Sequence, residues 1–299
     1  MKKYLAKILL FFIIVALIDV AFGMGCDYLY KNSKGGDTYK INYAISEGTA
    51  DVLIMGSSRA SHHYNPQILS DSLNMSVYNL GIDGSGVILA DGFYRLIAER
   101  YKPKYIIYEL TPSFDIYQYS GDVNNTRYLS QLKPYYKEEC LSGIFEDVNP
   151  GEKLKLRLGL YRYNTTFLNL FRFYLQGGEG NHTGFAPLTG TMGEFIKEGV
   201  KSVSVIDSLK IKYLRQFISD SQNAGTKLIF VISPKYGATT SDSYNPAKDL
   251  CKKQGYEVFD FYCEMQQKDY FKDSYHLNVT GANIFSSQIA HYIKNQIKD

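Results

Sequence analysis

Tryptophan is absent from this sequence, and cysteine and proline are sparse, at 4 and 8 of 299 residues. The cysteines stand at 26, 140, 251 and 263, so none forms the C-x-x-C pair that structural zinc sites use. Cys251 and Cys263 are the pair an oxidising compartment would bring into question; the default expectation is free, buried thiols. No segment concentrates basic charge. Lys+Arg total 33 against 30 Asp+Glu, a formal charge of +3. With residues 1–26 set aside (Lys2, Lys3, Lys7 and Asp19), the balance is 30 against 29. That excludes the electrostatic footprint of a nucleic-acid binder. Internal repeats, a Walker lysine and G-x-G-x-x-G are also missing, which removes solenoids and the common phosphate loops.

What remains is globular: 45% hydrophobic and 21% charged, enough chain for one large domain or two small ones. Tyrosine is abundant, at 27 residues beside 17 Phe. Its ring stacks and its hydroxyl hydrogen-bonds, as sugar-binding clefts require, although an even spread over core and surface accounts for the number equally well.

The amino terminus reads as a membrane segment. Lys2, Lys3 and Lys7 precede an unbroken apolar run from Ile8 to Ile18, and after Asp19 the apolar character continues to Gly25. Residues 8–25 approach the length needed to cross ~30 Å of hydrocarbon. No clear A-x-A site follows, so residues 1–26 are expected to be an uncleaved signal-anchor or transmembrane segment rather than a cleaved signal. Cys26 makes a poor lipoprotein site because Gly23 stands three residues before it. The lysines would stay in the cytoplasm, which puts residues 27–299 outside it, periplasmic or extracellular. Asp19 would lie toward the far end of the span, where a carboxylate is cheaper than at the centre.

Five short apolar runs bounded by Gly, Pro or charge read as buried strands: 52–55, 77–80, 105–110, 228–232 and 258–261. Helical periodicity separates or follows them at 87–101, 205–224 and 285–297. The alternation predicts an α/β chain: a three-layer, doubly wound domain with a five-stranded parallel sheet. Residues from about 113 to 204 break the rhythm and are expected to be an insertion of small helices over the sheet's carboxyl edge.

Two elements carry chemistry. Gly56-Ser57-Ser58-Arg59 follows the first strand, which puts small hydroxyls where α/β folds bind ligands; a plain strand-to-helix turn with a serine cap uses the same residues. Asp273-Ser274-Tyr275-His276 precedes the last helix, and Asp and His three apart can lie side by side, carboxylate orienting imidazole. The chain order Ser, Asp, His is that of α/β-hydrolases, but no G-x-S-x-G elbow is present.

This combination resembles the SGNH (GDSL-type) hydrolase superfamily, whose first block is matched by Gly56-Ser57-Ser58-Arg59 and whose last, Asp-x-x-His, by Asp273 to His276. The resemblance covers roughly 50–112 and 226–298, and implies the flavodoxin-like SGNH fold. It implies Ser58 as nucleophile, His276 as general base and acid, and Asp273 as its orienting partner. It places the oxyanion on the Ser58 and Gly84 amides, Gly84 lying in the glycine-rich 79–86 turn, with Gly81 as the other candidate. The family's third block, Gly-x-Asn-Asp, has no counterpart where Glu109-Leu110-Thr111-Pro112-Ser113 stands. One missing oxyanion donor typically costs about 3 kcal/mol. Thr111 or a residue of the insertion is the candidate substitute. Arg59, in place of the usual apolar residue, and the leading membrane segment look like the envelope branch, which moves acyl groups on extracellular polymers.

The resemblance therefore implies a serine esterase or O-acyltransferase acting on acyl, above all acetyl, esters of extracytoplasmic carbohydrate or envelope polymer. It implies no cofactor and no metal. A different reading is a catalytically degenerate module that binds glycan or a partner. Arg59, Thr111 and Tyr236 are candidate substrate contacts. His62 and His63 either line the mouth of the site or, as neighbouring histidines in a first helical turn more often do, lie on a solvated surface, and 181–188 is either a loop over the site or a plain connector.

Overall fold

The computed structural model of the chain describes residues 1–118, 129–176, 182–193 and 205–297. In chain order the elements are α1 (Lys2–Lys31), α2 (Gly36–Ser46), β1 (Val52–Gly56), α3 (Ser58–His63), α4 (Pro66–Leu73), β2 (Val77–Asn79), α5 (Val87–Ala98) and β3 (Tyr105–Glu109). There follow α6 (Pro112–Asp115), β4 (Tyr117–Gln118), α7 (Ser142–Val148), α8 (Glu152–Lys155), α9 (Gly159–Tyr163) and α10 (Phe167–Gln176). The chain closes with β5 (Val205–Ile206), α11 (Ser208–Ala224), β6 (Lys227–Ile232), α12 (Asn245–Lys253), β7 (Val258–Asp260) and α13 (Val279–Ile297).

Five strands form one parallel sheet in the order β2-β1-β3-β6-β7. Counted within the sheet this is 2-1-3-4-5, the flavodoxin-like doubly wound order. All five expected strands are present within a residue or two of their expected limits. Side chains alternate between two cores, as a strand period of 2 requires. Leu53, Met55, Ile106, Tyr108, Leu228 and Phe230 pack on one face, under α5, α11 and α12. Val52, Ile54, Ile107, Ile229 and Val231 pack on the other, under α4 and α13. A parallel sheet covered on both faces explains why its strands read as continuous apolar runs rather than alternating ones.

Local signals set several boundaries. Asn65 accepts from the Gln67 amide (3.0 Å) with Pro66 at the first helical position, which starts α4. Asp207 accepts from the Leu209 and Lys210 amides (2.9 and 3.3 Å) and starts α11, and Gly225 in the left-handed region ends it. The expected helix from residue 205 therefore begins three residues late, because 205–206 is spent on β5. β4 and β5 pair antiparallel, and the Asp207 amide donates to the Ile116 carbonyl (2.8 Å), pinching together the two ends of the insertion.

The small helices of the insertion lie elsewhere than expected. Leu132, Leu141, Ile144, Phe145, Val148 and Leu156 are buried in the α5/α11 core, Arg95 of α5 donates to the Cys140 carbonyl, and Tyr213 of α11 donates to Asp147 (2.8 Å). These buried apolar side chains are covered by the helix layer, not by the carboxyl edge of the sheet, while α9 and α10 pack on α1. Residues 119–128, 177–181 and 194–204 of the insertion lie outside the described residues. All four cysteines are free; Cys26 and Cys251 are buried as expected, Cys140 is half-buried, and Cys263 is exposed.

α1 is long and apolar enough to cross a membrane, by length and composition, and is the one such helix among the described residues. Its residues 2–18 are exposed, whereas Asp19, Gly23, Cys26 and Tyr30 are buried, on the part of the helix that meets α9 and α10.

Candidate active site

β1 ends in Gly56, whose φ of +136° lies where side chains are rarely tolerated; a Cβ there would come within 2.7 Å of the Glu109 carbonyl oxygen. That close approach lets the chain leave the sheet and enter α3 at once. Ser57 occupies the cap position and Ser58 the first helical one. The Ser58 amide is thereby one of the first-turn N–H groups for which a helix has no internal acceptor.

The other half of the site comes from the loop before α13. An antiparallel bridge between Phe271 and Leu277, with the Lys272 amide donating to the His276 carbonyl (2.8 Å), folds 271–277 into a tight turn. Asp273 Oδ1 accepts from the Tyr275 and His276 amides (2.8 and 2.9 Å). Both Asp273 oxygens face His276 Nδ1, at 3.0 and 2.9 Å. Since a carboxylate only accepts, Nδ1 carries the proton, and Nε2 is left with a lone pair. That lone pair faces Ser58 Oγ at 2.8 Å across 218 residues of chain. Burial pushes the Asp273 carboxyl up, but the bonds from the His276 ring and the two amides outweigh it, and the carboxyl stays below its ordinary range.

A second histidine fixes this loop from below. The Leu277 amide donates to His63 Nε2 (3.0 Å), so the His63 proton sits on Nδ1 and goes to Ser233 Oγ (2.7 Å). Ser233 Oγ in turn donates to Glu109 Oε1 (2.8 Å), and the Ser233 amide faces the same carboxylate. Tyr64 donates to Glu109 Oε2, and Arg59 Nε pairs with Oε1 at 3.3 Å. Burial pushes Glu109 up, yet every neighbour is a donor, and only the ionised carboxylate can accept them all. His63 is held well below its ordinary value by burial and by the Arg59 charge, and remains neutral.

This network corrects two sequence readings. His62 and His63 are buried, not solvated, because residues 182–193 cross over α3: the Ala186 amide donates to the Ser61 carbonyl, and His62 Nδ1 meets the Ala186 carbonyl at 2.6 Å. Arg59 is no substrate contact, since it is 3% exposed and its guanidinium is used up by Glu109, Tyr244 and the Ser233 oxygens. The strap of 182–193 continues past the His276 loop, where the Val279 amide donates to the Leu188 carbonyl and the Met192 amide to the Phe271 carbonyl (both 2.7 Å).

The remaining candidates stand around the same edge. Gly84 is exposed with φ +69°, and its amide has no hydrogen-bond partner among the described residues. The Gly81 amide is taken by Asn79 Oδ1 (2.9 Å), and its carbonyl receives the buried Lys40 ammonium (2.6 Å). Thr111 is nearly buried; its hydroxyl shares a 2.8 Å bond with Ser57 Oγ, and its amide donates to Asp115. Tyr236 is half-buried and stacks edge-on with Phe271, its amide bonded to the Ser274 carbonyl within the His276 turn.

Sequence reasoning passed over Glu109, Asp83 and Lys40. Glu109 left a signal: a charge at the end of an apolar strand, beside a strand whose exit carries Arg59, calls for a buried pair. His62 Nε2 faces Asp83 Oδ1 at 3.3 Å, and its ring lies edge-on to His276 with centroids 5.5 Å apart. Burial pulls His62 down, but Asp83 and the Ala186 carbonyl outweigh it and raise it. Burial pulls Lys40 down to about 8, partly offset by Asp37 and Asp83. Among the described residues, no three His, Cys, Asp or Glu side chains gather as a metal site would require.

No family model matches the chain, and no curated protein does. Two solved structures share its general outline at low similarity. One is an active-site mutant of a family-two carbohydrate esterase from Clostridium thermocellum, at 10% identity and TM-score 0.40 over 83% of this chain and 64% of that one. The other is a protein described as lipolytic, of the G-D-S-L family, from Desulfitobacterium hafniense DCB-2, at 9% identity and TM-score 0.39 over 80% and 97%. The chain thus spans just under two-thirds of the length of the first.

Proposed function

We propose that this chain is a serine esterase or O-acyltransferase of SGNH type, tethered by α1 and acting on acyl esters of extracytoplasmic carbohydrate. The observation that carries the reading is the line Ser58 Oγ, His276 Nε2, His276 Nδ1, Asp273, with each hydrogen bond at 3.0 Å or less. The chemistry follows from the proton positions. Ser58 Oγ bonds to the ester carbonyl carbon while its proton passes to His276 Nε2, and Asp273 stabilises the imidazolium. The carbonyl π pair moves onto oxygen, where the Ser58 and Gly84 amides receive the charge. Collapse breaks the bond to the alcohol, which leaves with the proton from His276. Water, or a sugar hydroxyl, then gives its proton to His276 as its oxygen bonds to the acyl carbon; the bond to Ser58 Oγ breaks, and His276 returns the proton to Oγ. Tyr236, whose amide bonds the Ser274 carbonyl in the His276 turn, and Thr111 are assigned to substrate.

A serine-reactive fluorophosphonate applied to the full-length protein tests the reading. Labelling that vanishes in Ser58→Ala is the expected result; equal labelling of both proteins, or none of the folded wild type, overturns it. Acetyl release from acetylated glycans, against acetyl transfer to unmodified ones, separates esterase from transferase. One observation favours a second reading, a binding module without turnover: the Thr111 hydroxyl, the candidate replacement for the third oxyanion donor, already bonds Ser57. Glycan binding with an unreactive Ser58 is its signature.

A further inference from the structure

The domain is seated on only one part of α1. Asp19 accepts from the Gly159 and Leu160 amides (2.9 and 2.8 Å), capping the start of α9 from the side of a neighbouring helix. Gly23 and Gly159 let the two backbones touch: a Cβ on Gly159 would come within 2.5 Å of Gly23 Cα. Further along, Asp27 pairs with Arg162 (2.9 Å) and accepts from Tyr163 (2.6 Å), and the rings of Tyr28 and Tyr174 lie 6.0 Å apart. Every one of these contacts falls at or after Asp19. The unbroken apolar run before it, Ile8–Ile18, rises only about 16 Å at 1.5 Å per residue, roughly half of the ~30 Å of a bilayer's hydrocarbon. If α1 crosses a membrane with its lysines outside the hydrocarbon, the hydrocarbon therefore runs on past Asp19 and Gly23, beside α9 and α10.

At that level the domain presents an apolar face. Leu168, Phe171 and Leu175 form one stripe along α10, at spacings of three and four, and are 69%, 53% and 63% exposed. The opposite side of the helix is occupied, with Leu170 buried against Cys26 and Tyr30. Leu158 and Leu160, at the start of α9, are also exposed and adjoin the Asp19 contact. Arg157 and Arg172 stand exposed among them. Apolar side chains with an aromatic and scattered arginines are the composition of a helix lying in a lipid interface.

We propose that the α9–α10 face is a second membrane contact, embedded in the leaflet nearer the domain, so that the protein both spans and lies on the bilayer. The occupant is lipid rather than a second copy of the chain because the face continues the uncovered apolar surface of α1 at a height that the hydrocarbon still reaches. The inference rests on the anchoring role assigned to α1 above, and is independent of the chemistry at Ser58.

Full-length protein with Cys140→Ser and Cys263→Ser, carrying a single fluorophore at Leu168→Cys, Leu175→Cys or Phe12→Cys, is reconstituted into phosphatidylcholine–phosphatidylglycerol vesicles. Quenching by acyl-chain nitroxide lipid is compared with quenching by aqueous iodide. The expected result is loss of fluorescence to nitroxide lipid at 168 and 175 comparable to that at 12, with protection from iodide. Lipid quenching at 12 with iodide quenching at 168 and 175 overturns this inference and leaves the anchor standing. Protection at 168 and 175 from both quenchers means protein on the face, a second copy, and also overturns it. Absence of lipid quenching at all three removes the anchor and the inference together.

Discussion

The Leu277 amide donates to His63 Nε2, one residue along the chain from the imidazole that faces Ser58. Two histidines thus stand back to back across a peptide bond. One has its lone pair spent on holding the loop, and the other has its lone pair free for the serine.

That arrangement makes stability sensitive to acid at His63. Its folded pKa lies below the ordinary value, so its neutral form is what folding selects. The unfolded chain takes up this proton near pH 6.5 and the folded one only at lower pH. The contribution is therefore complete above about pH 6.5 and is lost as pH falls, at up to about 1.4 kcal/mol per unit. His62 has the opposite sign, being raised, and cancels in a comparison with His63→Gln. Urea midpoints from pH 7 to 5 should fall more steeply in the wild type than in that variant; parallel slopes would count against a neutral, load-carrying His63.

Glu109→Gln should cost about 3–5 kcal/mol, since it leaves the Arg59 guanidinium buried beside a neutral amide. Arg59→Met in the same chain should restore much of that loss, because the uncompensated charge goes with it. Denaturant unfolding of the two single variants and the double reads the coupling directly, and simple additivity would mean that the pair does not act as one unit.

Asp273→Asn keeps the turn's shape but offers Nδ1 of His276 a group that can donate as well as accept. Turnover of an activated acetyl ester should drop on the order of 10⁴-fold while the unfolding midpoint moves little. A drop of less than tenfold would mean that Asp273 does not set the tautomer of His276.

Asp19→Ala removes the acceptor of two α9 amides, a cap whose loss typically costs about 1 kcal/mol. Trypsin should then cut the reconstituted full-length protein faster at Lys155 and Arg157, both exposed just before α9. Unchanged cleavage would show that α9 is held by other contacts alone.

The fold was legible because both faces of the sheet are covered. Full burial turns each strand into an apolar run, and the helices between them keep a plain 3.6-residue period. Ser58, Asp273 and His276 were legible for a different reason: each belongs to a short local pattern at a strand exit or helix entry. The support beneath them was not, since His63, Ser233 and Glu109 are spread over three elements, and only the β1-β3-β6 register brings them within bonding distance. The burial of His62 depended on the strap of 182–193, which no periodicity announces. Likewise, the insertion's helices carried apolar stripes in the sequence, but a stripe does not say which neighbour covers it.

The β3–β6 ladder has one more consequence. β1, β2 and β3 come from the first half of the chain, and β6 and β7 from the second, so this ladder is the only strand pairing in the five-stranded sheet that joins the two halves. Ser58 belongs to one half, and Asp273 and His276 to the other. A chain divided at the exposed Gly151 would yield two pieces, each lacking part of the Ser58–His276–Asp273 line, and reunion along β3 and β6 would be what brings serine to histidine. The seam of the sheet is also the seam of the candidate site.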